Sequence, residues 1–173
     1  MFRVSCIQLK SNNNIQSNFI KTERLIKKAI SQKTDFILTP EISSLFSLNK
    51  KKLLEQCTSM NKDEYLIGIK RLAKKHKKWI LIGSLVIKTG KKKLVNRSVL
   101  INTKGRIHSY YDKIHMYDVV LSKKESYFES RTFVAGKKYK ISRLPWGKLG
   151  MSVCYDLRFP NLYRNLAKKG SLF

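Results

Sequence analysis

The chain has 173 residues, 42% of them hydrophobic and 28% charged, with 37 basic against 11 acidic side chains and a net charge of +26. That composition fits a globular protein with one real core. A charge so positive suggests nucleic acid or an anionic membrane, but only nine of the basic residues are Arg, and Asn and Ile are abundant. This is the bias of an A+T-rich coding sequence and gives no Arg-rich base-reading surface, so no nucleic-acid or membrane partner is expected.

In chain order, the apolar and polar residues of 3–9 predict a strand, broken by Arg3, Ser5 and Gln8 and therefore not the core of a secretory leader. From about Ile15 to Ser31 the spacing of Phe19, Ile26, Ala29 and Ile30 predicts an amphipathic helix lying on a sheet. Phe36-Ile37-Leu38-Thr39-Pro40-Glu41 reads as a short apolar strand ending in Pro-Glu. Asn61-Lys62-Asp63-Glu64 has the form of a capping box with Asn61 as N-cap, opening a helix to about Lys77 that turns Tyr65, Ile69, Leu72 and Ala73 inward. Strands follow near 79–87 and 95–103 around a turn at 88–93, and Lys104-Gly105 turns the chain into a strand-like run, Tyr110 to His115. Pro145-Trp146-Gly147-Lys148 is the turn before a last strand. The lysine runs at 50–52, 74–78 and 91–93 fall at turns or helix flanks and read as solvated faces. With no linker, repeat or low-complexity block, residues 1–173 read as one domain of mixed α/β (α+β) class. The apolar stretch 79–87 is shorter than the roughly 20 residues a membrane helix needs. Cys6, Cys57 and Cys154 have no metal-ligand spacing, and an odd number without a leader predicts the cytoplasm.

The chemistry centres on Gly150-Met151-Ser152-Val153-Cys154-Tyr155-Asp156. In a strand, Leu149, Met151 and Val153 point one way and Gly150, Ser152 and Cys154 the other, leaving the Cys154 face clear of bulk. A helix opening near Asp156 would aim N–H groups at the strand tip, favouring a thiolate and a developing oxyanion. Alone, the pattern equally fits a small buried thiol. Glu41, able to take a thiol proton, and Lys113, able to stabilise a carbonyl oxygen, complete a nucleophile, base and electrophile. A Cys-His pair is the rival. His76 sits among lysines and His108 follows a turn, while His115, placed two residues from Lys113 on the same strand face, could line the site or fill space.

Pro40-Glu41, Ile82-Gly83-Ser84, Asn96-Arg97-Ser98, Tyr111-Asp112-Lys113-Ile114-His115, Phe128-Glu129-Ser130 and Cys154-Tyr155-Asp156-Leu157-Arg158-Phe159-Pro160, in that order, resemble the nitrilase or carbon-nitrogen hydrolase superfamily from Val4 to about Gly170. The resemblance implies a four-layer αββα sandwich, Glu41 as general base, Lys113 as catalytic lysine, Glu129 as supporting glutamate, Cys154 as nucleophile and the Tyr155 backbone N–H as oxyanion donor. It implies a supporting role for His115. It also implies a small-molecule amide substrate, no metal or organic cofactor, and homo-oligomers for full-length members. The text around Lys113 and Cys154 looks most like the amidases of deaminated glutathione, then the ω-amidases of α-keto acid amides. Family members continue well past the position of Phe173, so the chain reads as truncated at its C-terminus, and the 173 residues alone are expected to show little or no activity. A non-catalytic role in protein interaction is the alternative from another class.

Overall fold

The computed structural model describes residues 2–173. Five strands form the main sheet in the order β1 (Val4–Cys6), β2 (Phe36–Leu38), β3 (Trp79–Gly90), β4 (Lys93–Ile101) and β5 (Ile107–Asp112). β1, β2 and β3 are parallel, and β4 and β5 continue antiparallel. β2 and β5 therefore run the same way, so the segments that follow them emerge at one end of the sheet.

Helix α1 (Ile15–Ser31) occupies the residues its periodicity predicts. Ile26 and Ala29 are buried against Ile37, Ile80 and Ile82 of the sheet, while Phe19 and Ile30 are only partly covered. Helix α2 (Lys50–Gln56) is short, and α3 (Glu64–His76) buries Tyr65, Ile69, Leu72 and Ala73 as expected. Its cap is different from the one predicted: the Asp63 carboxylate, not the Asn61 side chain, accepts the Leu66 N–H at 2.7 Å. Asp63 is the residue immediately before the first helical one, where a side-chain oxygen reaches the third N–H. β3 and β4 also run further into their turn than predicted, because Lys88 and Gly90 still pair with Leu94 and Lys93 and leave a turn of only two residues, while β4 ends at Ile101, short of residue 103.

On the opposite face of the sheet lies the hairpin β8 (Lys140–Leu144) and β9 (Gly147–Met151). Leu144, Leu149, Met151 and Val153 pack there against Phe36, Leu81, Leu100 and Tyr111. Gly150 faces the other way, and a Cβ on it would lie 2.9 Å from Leu166 of helix α4 (Pro160–Lys168). The alternation of Leu149, Gly150 and Met151 thus separates two layers, and the order is helices α1 and α3, sheet, hairpin, helix α4. Leu172 N–H donates to the Lys148 carbonyl, and Gly150 N–H to that of Phe173, so the last residues pair with the second edge of β9. A third pair, β6 (Asp118–Ser122) and β7 (Glu125–Phe128), stands apart from both sheets. Among the described residues no helix is long and apolar enough to cross a membrane.

Candidate active site

Glu41 lies just past the end of β2, held by a dense set of short-range bonds. Ile42 N–H donates to Ser84 Oγ at 2.8 Å, and Ser43 Oγ donates to the Pro40 carbonyl at 2.6 Å and to Thr39 Oγ1 at 2.8 Å. Gly83 on β3 permits this packing, since a Cβ there would sit 2.2 Å from the Thr39 carbonyl oxygen. Lys113 follows the last residue of β5 directly. It is outside the strand that was predicted to carry it, and its N–H and C=O are taken up by Asn96 O and Gly136 N–H instead of a ladder.

These two segments meet although 72 residues separate them. Lys113 Nζ donates to Glu41 Oε1 at 2.9 Å and to Glu129 Oε2 at 2.8 Å. Glu129 comes from a turn of 3₁₀ helix after β7 and is fixed by the Tyr117 N–H at 2.7 Å. The Lys113 side chain is only 2% exposed. Burial alone would lower its pKa, but the hydrogen bonds and charges of Glu129 and Glu41 outweigh burial and raise it, so the ammonium persists.

Two supporting groups carried no assigned role in the sequence. Asn96, in mid-β4 and 1% exposed, donates through Nδ2 to Glu41 Oε1 at 2.8 Å and to Glu129 Oε1 at 3.1 Å, tying the carboxylates together. A polar residue buried among Leu94, Val95, Val99 and Leu100 has to find partners, and that was the available signal. Asp156 is the second, fully buried two residues after Cys154.

Cys154 arrives from the other sheet layer. Its environment corrects two expectations: β9 ends at Met151, and Cys154 opens a turn of 3₁₀ helix, while the α-helix begins only at Pro160. Proline suits the first helical position and disfavours helical backbone in the residue before it, so Phe159-Pro160 sets the later start. Cys154 has φ +48° and Ile42, next to Glu41, φ +50°. Non-glycine residues in this region cost about 1–3 kcal/mol each and persist where the surroundings hold them, often at functional sites. The helix terminus expected to favour a thiolate is thus absent from the Cys154 thiol. Burial, then the charge and hydrogen bond of Glu41, push its pKa up to about 11, against the opposing charge of Lys113. Glu41 is therefore placed to accept the thiol proton. His115, too, departs from its predicted place on the Lys113 face of a strand; both residues lie beyond β5, and the His115 ring bonds to Asp156.

Glu41, Asn96, Lys113, Glu129 and Cys154 open into a cavity of about 600 Å³ with apolar walls that include Leu45, Phe46, Tyr127 and Phe133. Its other cationic lining residues are Lys50 and Arg131. Among the described residues no cluster of His, Cys, Asp and Glu has the make-up of a metal site. Residues 3–172 match the carbon-nitrogen hydrolase family.

The chain belongs to that family.

The chain is 31% identical over 171 residues to the deaminated glutathione amidase of Yersinia enterocolitica, covering 97% of the chain and 59% of the relative. It is 28% identical to an omega-amidase of Saccharomyces cerevisiae over 98% of the chain and 60% of that relative. The crystal structure of the Caenorhabditis elegans NitFhit protein superposes with a TM-score of 0.87 at 29% identity, covering 98% of the chain and 43% of the solved one. The chain thus spans about three-fifths of the length of the curated relatives it matches.

Proposed function

We propose that Cys154, Glu41 and Lys113 carry out thiol-dependent hydrolysis of a small linear amide. Glu41 takes the Cys154 proton as sulfur attacks the amide carbon, and the C=O electrons move onto oxygen, which Lys113 Nζ and the Tyr155 N–H stabilise. Collapse breaks the C–N bond, and the proton held by Glu41 passes to nitrogen so that ammonia leaves. Glu41 then deprotonates water for attack on the thioester, releasing the acid and restoring the thiol. Glu129 keeps Lys113 oriented throughout. Every step is taken by a protein group, so the reaction calls on no metal or cofactor.

One observation carries this reading: a buried ammonium fixed between two carboxylates, with the thiol beside the first of them. The cavity supports the substrate class. Its cationic lining residues besides Lys113 are Lys50 and Arg131, and its acidic ones, Glu41 and Glu129, are engaged by Lys113. Such a lining favours an amide that also bears carboxylate, as deaminated glutathione and α-keto acid ω-amides do, over a neutral nitrile. The test is ammonia release from deaminated glutathione, an α-keto acid ω-amide and a simple nitrile. It is run on the 173 residues and on a fusion continuing with the C-terminal region of the Yersinia relative. Both amides should exceed the nitrile, and Arg131→Ala should raise KM for the anionic amides with little change in kcat. A faster nitrile would overturn the substrate class.

A further inference from the structure

Asp156 has no assigned part in the chemistry, yet its carboxylate is fully buried and joins three segments. From β5, Tyr111 Oη donates to Oδ2 at 2.7 Å. From the segment just after Lys113, the His115 backbone N–H reaches Oδ1 at 3.0 Å and His115 Nδ1 lies 2.6 Å from the same oxygen. From the nucleophile's own segment, Val153 N–H donates to Oδ2 at 2.9 Å. The His115 ring in turn stacks on Phe159, centroids 3.7 Å apart, at the far end of the Cys154 turn. Both oxygens are thus saturated by donors from the lysine side and the cysteine side of the site.

We propose that Asp156, oriented by His115, is a positioning residue that holds the turn bearing Cys154 in register with the segment bearing Lys113. The inference rests on the assignment of Cys154 as nucleophile. Cys154 and Lys113 come from different sheet layers, so no strand ladder fixes their separation. Packing of Val153 and Met151 sets the spacing of the layers but leaves the turn free to rotate about φ of Cys154, which lies in the left-handed region. The carboxylate removes that freedom by bonding backbone N–H groups on both sides. An Asp is required because all its neighbours are donors; an Asn would turn its own NH₂ against Val153 N–H or His115 N–H.

The test uses the pH dependence of iodoacetamide alkylation at Cys154, read on its own peptide by mass spectrometry between about pH 6 and pH 11, a range that brackets the ordinary thiol value. The charged groups facing the thiol are Glu41, Glu129 and Lys113, so the profile reports its distance from them. In the unmodified sequence the midpoint should lie above the ordinary thiol value of about 8.5. Asp156→Asn should move it towards that value by about half a pH unit or more. Two changes at His115 separate positioning from packing. His115→Asn keeps an N–H donor near Oδ1 and should retain the profile, whereas His115→Phe keeps the stack on Phe159 without a donor and should shift it as Asp156→Asn does. Near-UV circular dichroism establishes that each variant is folded.

An unchanged profile in Asp156→Asn would overturn the proposal, as would retention by His115→Phe with loss in His115→Asn. Loss of the fold in both Asp156→Asn and His115→Phe would also overturn it, making the cluster general scaffold. Ammonia release by the fusion with the C-terminal region of the Yersinia relative is measured alongside. If no amide is hydrolysed while the profiles shift as stated, the functional reading fails and the positioning role stands.

Discussion

A buried lysine between two glutamates is costly to disturb, because removing the cation leaves two carboxylates facing each other with little water. Lys113 is 2% exposed, Glu129 13% and Glu41 28%. Lys113→Met should therefore cost about 3–5 kcal/mol in urea-induced unfolding, the range for breaking a buried pair from one side. Glu41→Gln is a different experiment, since it keeps the shape and a donor-acceptor group while removing the base. It should leave the unfolding midpoint near that of the unmodified chain and lower acyl-enzyme formation about 10²–10⁴-fold, read as thioester formed in single-turnover mass spectrometry. Equal losses of stability in the two variants would show that the set is held as scaffold and not as chemistry. At this scale, Glu41, Lys113, Glu129 and Cys154 were legible as motifs in the sequence. Asn96 and Asp156 were present in those motifs without a role, because a hydrogen-bonding role depends on neighbours distant along the chain.

The elements position the site through close backbone approaches that spacing alone does not reveal. Gly83 illustrates the point: its place in β3 lets the backbone of Thr39 and Pro40 lie against it, and a Cβ would meet Thr39 O at 2.2 Å and the Pro40 carbonyl carbon at 2.6 Å. Backbone cannot swing aside as a lysine tip can. Gly83→Ala should therefore cost about 1–3 kcal/mol, as overpacking does, and should displace Glu41 enough to reduce turnover. At Gly90, in the same strand, an added methyl would meet nothing nearer than 3.7 Å, and that neighbour is the Lys93 side chain. Gly90→Ala should then leave both stability and turnover close to normal, so the pair of variants isolates the close approach from any general dislike of alanine in β3.

Across the whole molecule, five Cys, Tyr and Lys groups drawn away from water are held protonated more firmly than in an unfolded chain. Burial pushes Cys57 and Tyr65 up to about 12 and Cys154 to about 11, burial and then the hydrogen bond to Asp156 raise Tyr111, and the carboxylate partners raise Lys113 against the effect of burial. All five act in one direction. Unfolding would release these protons near the ordinary values of about 8.5 for Cys, 10 for Tyr and 10.4 for Lys. Above those values the unfolded state binds fewer protons than the folded one, so stability falls as pH rises. The thermal midpoint should be nearly flat through neutral pH and drop from about pH 9 upward, measured in about 1 M salt to screen the +26 charge. Tyr65→Phe, which removes one such proton, should make the alkaline fall shallower. An alkaline limb as steep in Tyr65→Phe as in the unmodified chain would show that Tyr65 does not contribute to it.

Periodicity determined the place of α1, the inward face of α3 and the alternation of Leu149, Met151 and Val153, because each is a local record of which side of an element meets apolar surface. Ordered motifs determined the family and named the four side chains of the site. Tertiary structure decided what those side chains can do: that Lys113 leaves its strand, that Cys154 opens a left-handed turn as a thiol, that Asp63 and not Asn61 caps α3, and that Asn96 and Asp156 bind the site together. Strand and helix patterns report contacts with near neighbours in the chain, whereas pKa, cap choice and turn geometry depend on burial and on partners brought in from distant residues. Such partners exist only once the layers have packed.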